Sequence, residues 1–187
     1  MAIESATKRW TRKDLERFPA DGNRYEVLDG ELLVTPQAAL THQIVAVRIA
    51  SALHVYCELH GVGVTTGPGA VIFGKNELQP DCEVLPPGSV KRGNTWEDVP
   101  CPLLAVEVLS PFAVSRRRDL DAKRKAYLGL GIAVYWVIDH EARRAHVWSG
   151  GRAERIVSDV LTWQPDPAVA ALEIQLEDLF RLPDSDD

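Results

Sequence analysis

The chain has 187 residues, a mass of 20.7 kDa and 45% apolar side chains, enough for one domain that folds without disulfides or a structural metal. Its 21 basic and 27 acidic residues give a net charge of −6, which excludes a uniformly basic nucleic-acid coat protein but not a local basic patch. No apolar run approaches the roughly 18 residues that span a bilayer, and Met1 to Ser5 lack the pattern of a secretory signal, so a cytoplasmic protein with no membrane partner is expected.

Thr11, with Asp14 three residues on, predicts a short N-terminal helical segment over about residues 11–19. Asp29-Gly30 between two apolar-rich runs predicts a hairpin. From Thr41 to His60 the period lengthens: Val45, Ile49, Ala52, Leu53, Tyr56 and Leu59 mark an amphipathic helix that Gly61 stops. Val62 to Phe73, broken by glycines and Pro68, reads as strands joined by a turn, and Leu78 to Leu85 as one further strand. After a Pro- and Gly-rich loop comes Leu103 to Leu109, a nearly continuous apolar run of the kind buried on both faces of a sheet. Ser115 to Leu130 reads as a helix, Ala133 to Ile138 as a strand, and 145–157, split by Gly150-Gly151, as a second hairpin. Residues 172–176 form a last strand candidate, followed by a short turn and an acidic tail over about residues 181–187. The pattern predicts a single domain over 1–187, α/β or α+β, with a mixed sheet whose Glu107 and Tyr135 strands run parallel across a helical crossover.

Three side chains stand out against this background. Asp81 follows Pro80 at the start of a strand, where a carboxylate serves either a turn or a site at the sheet end. Glu107 interrupts the most hydrophobic stretch of the chain. An ionised carboxylate there needs a partner, either a salt bridge or a metal ion shared with Asp81. Lys123 falls on the apolar stripe of its helix with Leu120, Tyr127 and Leu130, at about 100° per residue. It either snorkels over an apolar rim or meets the inward glutamate. Two carboxylates on neighbouring strands can hold Mg²⁺ or Mn²⁺ through oxygen ligands, and a lysine can orient an attacking water or stabilise transition-state charge. That set suits metal-assisted phosphodiester hydrolysis.

Residues 113–125 carry six bases, among them Arg116, Arg117 and Arg118, against two acids. They form either a phosphate-gripping patch for DNA or another nucleic acid, or a solvated helix laced by pairs such as Asp121 with Lys125. The cysteines Cys57, Cys82 and Cys101 are odd in number and far apart, as befits reduced thiols. The glycines from Gly61 to Gly67 lack dinucleotide-loop spacing, and no G-x-S-x-G elbow exists. His140 and His146 are expected at the surface. A homodimer is expected by symmetry preference, with the five tryptophans as interface candidates.

The blocks Tyr25 to Leu32, His42, Pro80-Asp81, Glu107 to Pro111, Arg118-Asp119-Leu120-x-x-Lys123-x-x-x-Tyr127 and Tyr135-Trp136-x-x-Asp139 resemble the Uma-type restriction endonuclease family of the PD-(D/E)XK nuclease superfamily, over about Thr11 to Phe180. The resemblance implies a restriction-endonuclease-like core, a mixed sheet flanked by helices with the site at one sheet end. It assigns Asp81 and Glu107 to the metal and Lys123 to a lysine moved onto the following helix, since Leu109 stands at the usual lysine position. Glu31, His42 and Tyr127 match supporting positions. Val134 before Tyr135-Trp136, and Phe112 after Ser110-Pro111, depart from the family pattern. The function implied is a Mg²⁺-dependent endodeoxyribonuclease; the alternative is an inactive module on the same fold that binds nucleic acid or a protein partner.

Overall fold

The computed structural model describes residues 8–181; all of the acidic tail beyond Arg181 lies outside them. Helix α1 (Arg12–Leu15) opens with a capping box, the Thr11 N–H and hydroxyl both donating to the Asp14 carboxylate at 2.9 Å. It ends sooner than its sequence suggests: Phe18 leaves it to stack on Tyr25, with ring centroids 4.4 Å apart, and Pro19 cannot prolong it. Asp29 and Gly30, both at positive φ (51° and 86°), turn the chain between β1 (Arg24–Leu28) and β2 (Glu31–Thr35). Positive φ at both central residues is what a two-residue hairpin with the native strand twist requires.

Helix α2 (Leu40–His60) buries Val45, Ile49, Leu53 and Tyr56, and Gly61 ends it in the left-handed conformation at φ 65°. Leu59, expected on the same stripe, is exposed.

The stretch from Leu78 to Leu85 is two strands, not one. Strand β5 (Asn76–Leu78) pairs with β1 and with β4 (Val71–Phe73), completing a four-stranded antiparallel sheet in the order β2-β1-β5-β4. Strand β6 (Cys82–Leu85) lies between β3 (Val64–Thr66) and β7 (Leu104–Val108) in a second sheet. Pro80, which has no N–H to give a ladder, marks the crossing from one sheet to the other. Asp81 sits at that crossing.

The second sheet has six strands, ordered β10-β9-β8-β7-β6-β3, with β8 (Val134–Asp139), β9 (Arg144–Ser149) and β10 (Arg155–Val157). Its β7–β8 pair is parallel and the rest are antiparallel, as the helical crossover demands. That crossover is interrupted: α3 (Ala113–Arg117), a π-helical segment (Arg118–Lys123) and α4 (Arg124–Gly129) follow one another. Strand β11 (Val160–Trp163), absent from the sequence reading, pairs with β12 (Leu172–Gln175), and α5 (Leu176–Phe180) follows.

Alternation along β7 divides the core. Leu104, Val106 and Val108 pack with α2, while Ala105 and Leu109 pack with Tyr127, Tyr135 and the apolar residues of the small sheet. Glu107 shares that second face. Cys57 and Cys82 are buried free thiols, and Cys101 is exposed. Two expectations are corrected. His146 is buried, its Nδ1 against Glu154, and Trp136, Trp148 and Trp163 belong to the core rather than to any outer surface.

One buried acid has little to hold it. Glu83 in β6 is wholly buried, accepts a hydrogen bond from the Thr66 hydroxyl at 3.3 Å, and its Oε2 has no partner among the described residues. A Cβ at position 69 would lie 2.1 Å from the Glu83 Oε1, so a larger residue there would have to move the buried carboxyl. Burial pushes the Glu83 carboxyl up to about 7. The unfolded chain gives up this proton near the ordinary value of 4.5 and the folded chain only near 7, so stability falls as pH rises through that interval. Glu83→Gln, which mimics the neutral acid, is expected to melt higher than the wild type at pH 8, by up to about 3 kcal/mol of stability, and to match it near pH 4. A difference in melting temperature that stays constant from pH 4 to pH 8 would refute this.

Candidate active site

The end of β7 is where the two sheets and the crossover helix meet. The Asp81 N–H donates to the Val106 carbonyl at 3.0 Å, and the Val108 N–H donates to Asp81 Oδ2 at 2.7 Å. These bonds fix the Asp81 carboxylate over the strand that carries Glu107. His42, buried near the start of α2, places Nε2 3.2 Å from Asp81 Oδ2. Burial disfavours charge on Asp81, but His42, Arg24 and the Val108 N–H together hold its pKa well below the usual carboxylate range.

Glu107 is fully buried, and its Oε1 carries two partners: Lys123 Nζ at 2.9 Å and the Tyr127 hydroxyl at 3.1 Å, both donating. Its Oε2 has no hydrogen-bond partner among the described residues. Burial raises the Glu107 pKa to about 8 despite the lysine beside it. Lys123 is itself only 1% exposed and is held by three acids: Glu26 at 2.8 Å, Glu107 at 2.9 Å and Asp119 at 3.7 Å. Burial alone would lower its pKa, but these charges raise it above the ordinary lysine value, so the ammonium keeps its proton.

Two residues of one helix enter this cluster because they lie four apart on one face. In the π-helical segment Asp119 and Lys123 are both buried, with Tyr127 following in α4. Such segments are frequent at functional sites. A regular wheel found Lys123 and Tyr127 but put Leu120 on the inward face; Leu120 is half-buried and Asp119 takes the inward place. Burial raises the Asp119 pKa to about 6.

The small sheet contributes two residues that the sequence reading missed, both on β1. Glu26 is fully buried, and its Oε1 accepts both from Lys123 and from the Gln79 N–H at 2.7 Å. Arg24 donates from Nη1 to Asp81 Oδ1 at 2.7 Å and to the Gln79 carbonyl at 3.0 Å, and its Nη2 lies 3.9 Å from Glu107 Oε2. Arg24 and Glu26 sit two apart on one face of a strand, beside the buried Val27-Leu28, and this alternation was the available signal.

Four carboxylates (Glu26, Asp81, Glu107 and Asp119) thus face two permanent cations, Arg24 and Lys123. A cavity of about 310 Å³ opens on one side, lined by Arg24, His42, Asp81 and Asp119 together with Ser110 and Phe112. Glu107 and Lys123 lie behind it. Among the described residues no ready group of three or more His, Cys, Asp or Glu ligands forms a metal cage. The hard oxygens of Asp81 and Glu107, the unpartnered Glu107 Oε2 and the excess of acid nevertheless fit a divalent ion that keeps several waters, as Mg²⁺ does.

The remaining candidates fall outside the cluster. Glu31 is exposed at the turn end of the β1–β2 hairpin, opposite Leu28 and remote from Arg24, because the hairpin directs that end of the strand to solvent. Arg116 is tied to Asp139 at 2.6 Å and Glu141 at 3.3 Å; Arg118 donates to the Thr35 hydroxyl at 3.3 Å; Arg117 is exposed.

Comparison with known proteins agrees with this architecture. Residues 12–177 match the model of the Uma2 family, described as "Putative restriction endonuclease". A solved structure from Anabaena variabilis ATCC 29413, titled as a putative nuclease belonging to DUF820, has a TM-score of 0.75 at 14% identity, covering 91% of this chain and 97% of that one. At that identity the likeness concerns the fold. No curated protein matches the chain. Among the described residues no helix is long and apolar enough to cross a membrane.

Removing the buried ammonium leaves Glu26 and Glu107 without their shared counter-charge. Lys123→Ala is therefore expected to lose about 3–5 kcal/mol of folding stability, read by urea unfolding at pH 7. A loss below about 1 kcal/mol, the worth of an exposed pair, would show that the cluster does not depend on it.

Proposed function

This chain belongs to the Uma2 family, and we propose that it hydrolyses phosphodiester bonds in DNA, using Mg²⁺ or Mn²⁺ held by Asp81 and Glu107. The observation that carries this reading is the pair of buried carboxylates at the end of β7, one beside a cavity and the other with a free oxygen, in surroundings that hold more acid than base. A divalent ion there supplies Lewis-acid stabilisation of the charge that develops on phosphate oxygens.

The chain's own residues do the rest. Val108 and His42 fix Asp81 through Oδ2, leaving Oδ1 to Arg24. Lys123 and Tyr127 fix Glu107 through Oε1, leaving Oε2 for the ion. The Lys123 ammonium also provides the preorganised positive charge that orients the attacking water and balances the transition state. Glu26 and Asp119 hold that ammonium in place. Arg117 and Arg118, near the cavity residues Phe112 and Ser115 in sequence, supply charge for the nucleic-acid backbone.

One observation favours the alternative of an inactive module: Asp81, Glu107 and Glu26 all have cationic neighbours within the chain. A plasmid-nicking assay separates the two readings. Cleavage is expected with Mg²⁺ or Mn²⁺ and not with EDTA, and Asp81→Ala and Glu107→Gln are each expected to slow it about 100-fold or more, the several kcal/mol that a metal site contributes. Metal-independent nicking would discard the metal role, and no nicking of duplex or single-stranded DNA by folded protein would discard the nuclease reading.

A further inference from the structure

Arg24 occupies an unusual position in this cluster. Its guanidinium stands between the two carboxylates assigned to the metal, 2.7 Å from Asp81 Oδ1 and 3.9 Å from Glu107 Oε2. These are the very oxygens that His42, Val108, Lys123 and Tyr127 leave free. Arg24 also lines the cavity, whereas Glu107 does not. Arg24 is thus a cavity-lining cation that reaches towards Glu107.

Both partners cannot be served at once. A Mg²⁺ ion binds oxygens at about 2.0–2.1 Å and admits no second cation between them. Unshielded like charges a few ångströms apart repel strongly where water is scarce. The arginine has somewhere else to go: its side chain is 22% exposed, it already borders open volume, and the Gln79 carbonyl at 3.0 Å is an anchor apart from the carboxylates.

Building on the metal-nuclease reading, we infer that the Arg24 guanidinium is a resident counter-ion on the metal seat, which holds Asp81 and Glu107 in place and is displaced towards the cavity when the divalent ion binds. Arg24 is thus a positioning residue in the resting protein, and it sets metal affinity by competition. An arginine that only braces the fold would give a different result, since its removal would loosen the carboxylates and weaken metal binding.

Mn²⁺ binding by titration calorimetry on the full chain tests this with wild type, Arg24→Gln and Asp81→Asn, with folding checked by circular dichroism. Arg24→Gln is expected to bind Mn²⁺ at least about tenfold tighter than wild type, a step of about 1.4 kcal/mol, and Asp81→Asn to bind at least tenfold more weakly. Should Arg24→Gln fail to fold, the wild type serves alone. The Arg24 Nε–H signal, identified by its loss in Arg24→Lys, is expected to shift and to exchange faster with solvent on saturation with Mg²⁺ in ¹⁵N NMR. Equal or weaker Mn²⁺ binding by folded Arg24→Gln, or an Nε–H signal indifferent to saturating Mg²⁺, overturns the displacement while leaving the metal site intact. Absence of Mn²⁺ binding to both wild type and Arg24→Gln overturns the metal-nuclease reading and this inference with it.

Discussion

The buried ammonium of Lys123 ties together three parts of the fold. It binds Glu26 from the four-stranded sheet and Glu107 from the six-stranded sheet, from a helix that also presents Asp119. A charge this deeply buried costs several kcal/mol unless it is paired and hydrogen-bonded. That cost fixes the geometry: the ammonium must find its acids, and they can meet it only if both sheets and the crossover helix dock in one register. The polar centre thus sets how two otherwise apolar layers fit.

The same centre is out of balance in a definite direction. Four acids surround two fixed cations, and burial raises the pKa of Glu107 to about 8 and of Asp119 to about 6. Asp81 goes the other way, well below its usual range, because hydrogen bonds from His42 and the Val108 N–H and the charge of Arg24 outweigh its burial. Neighbouring carboxylates driven apart in this manner are characteristic of catalytic centres.

Much of the fold was legible in the sequence because local physics and the final structure agree. Asp29-Gly30 makes the turn it promises, the run around Val106 is the central strand, and Gly61 ends α2. Glu107 and Lys123 stood out because each is a charge in an apolar pattern, and the two do meet. What the sequence hid has specific causes. Pro80 breaks a run that reads as one strand, and only tertiary pairing shows that its halves join different sheets. Asp119 escaped because an acid four residues from a lysine reads as its solvated pair, although a wheel puts it within about 40° of Lys123. Arg24 and Glu26 escaped because alternating charges on a hairpin strand look like a solvated face until a second sheet covers them.

The distances in sequence between the partners have a consequence for the life of the polypeptide. Arg24 and Glu26 come near the start of the chain and Lys123 and Tyr127 about a hundred positions later, with the Asp81 crossing between them. Contacts of such separation form late, after the entropy of closing long loops has been overcome. During synthesis the ribosome releases the first acids long before the lysine exists, so an incomplete nascent chain has no assembled centre.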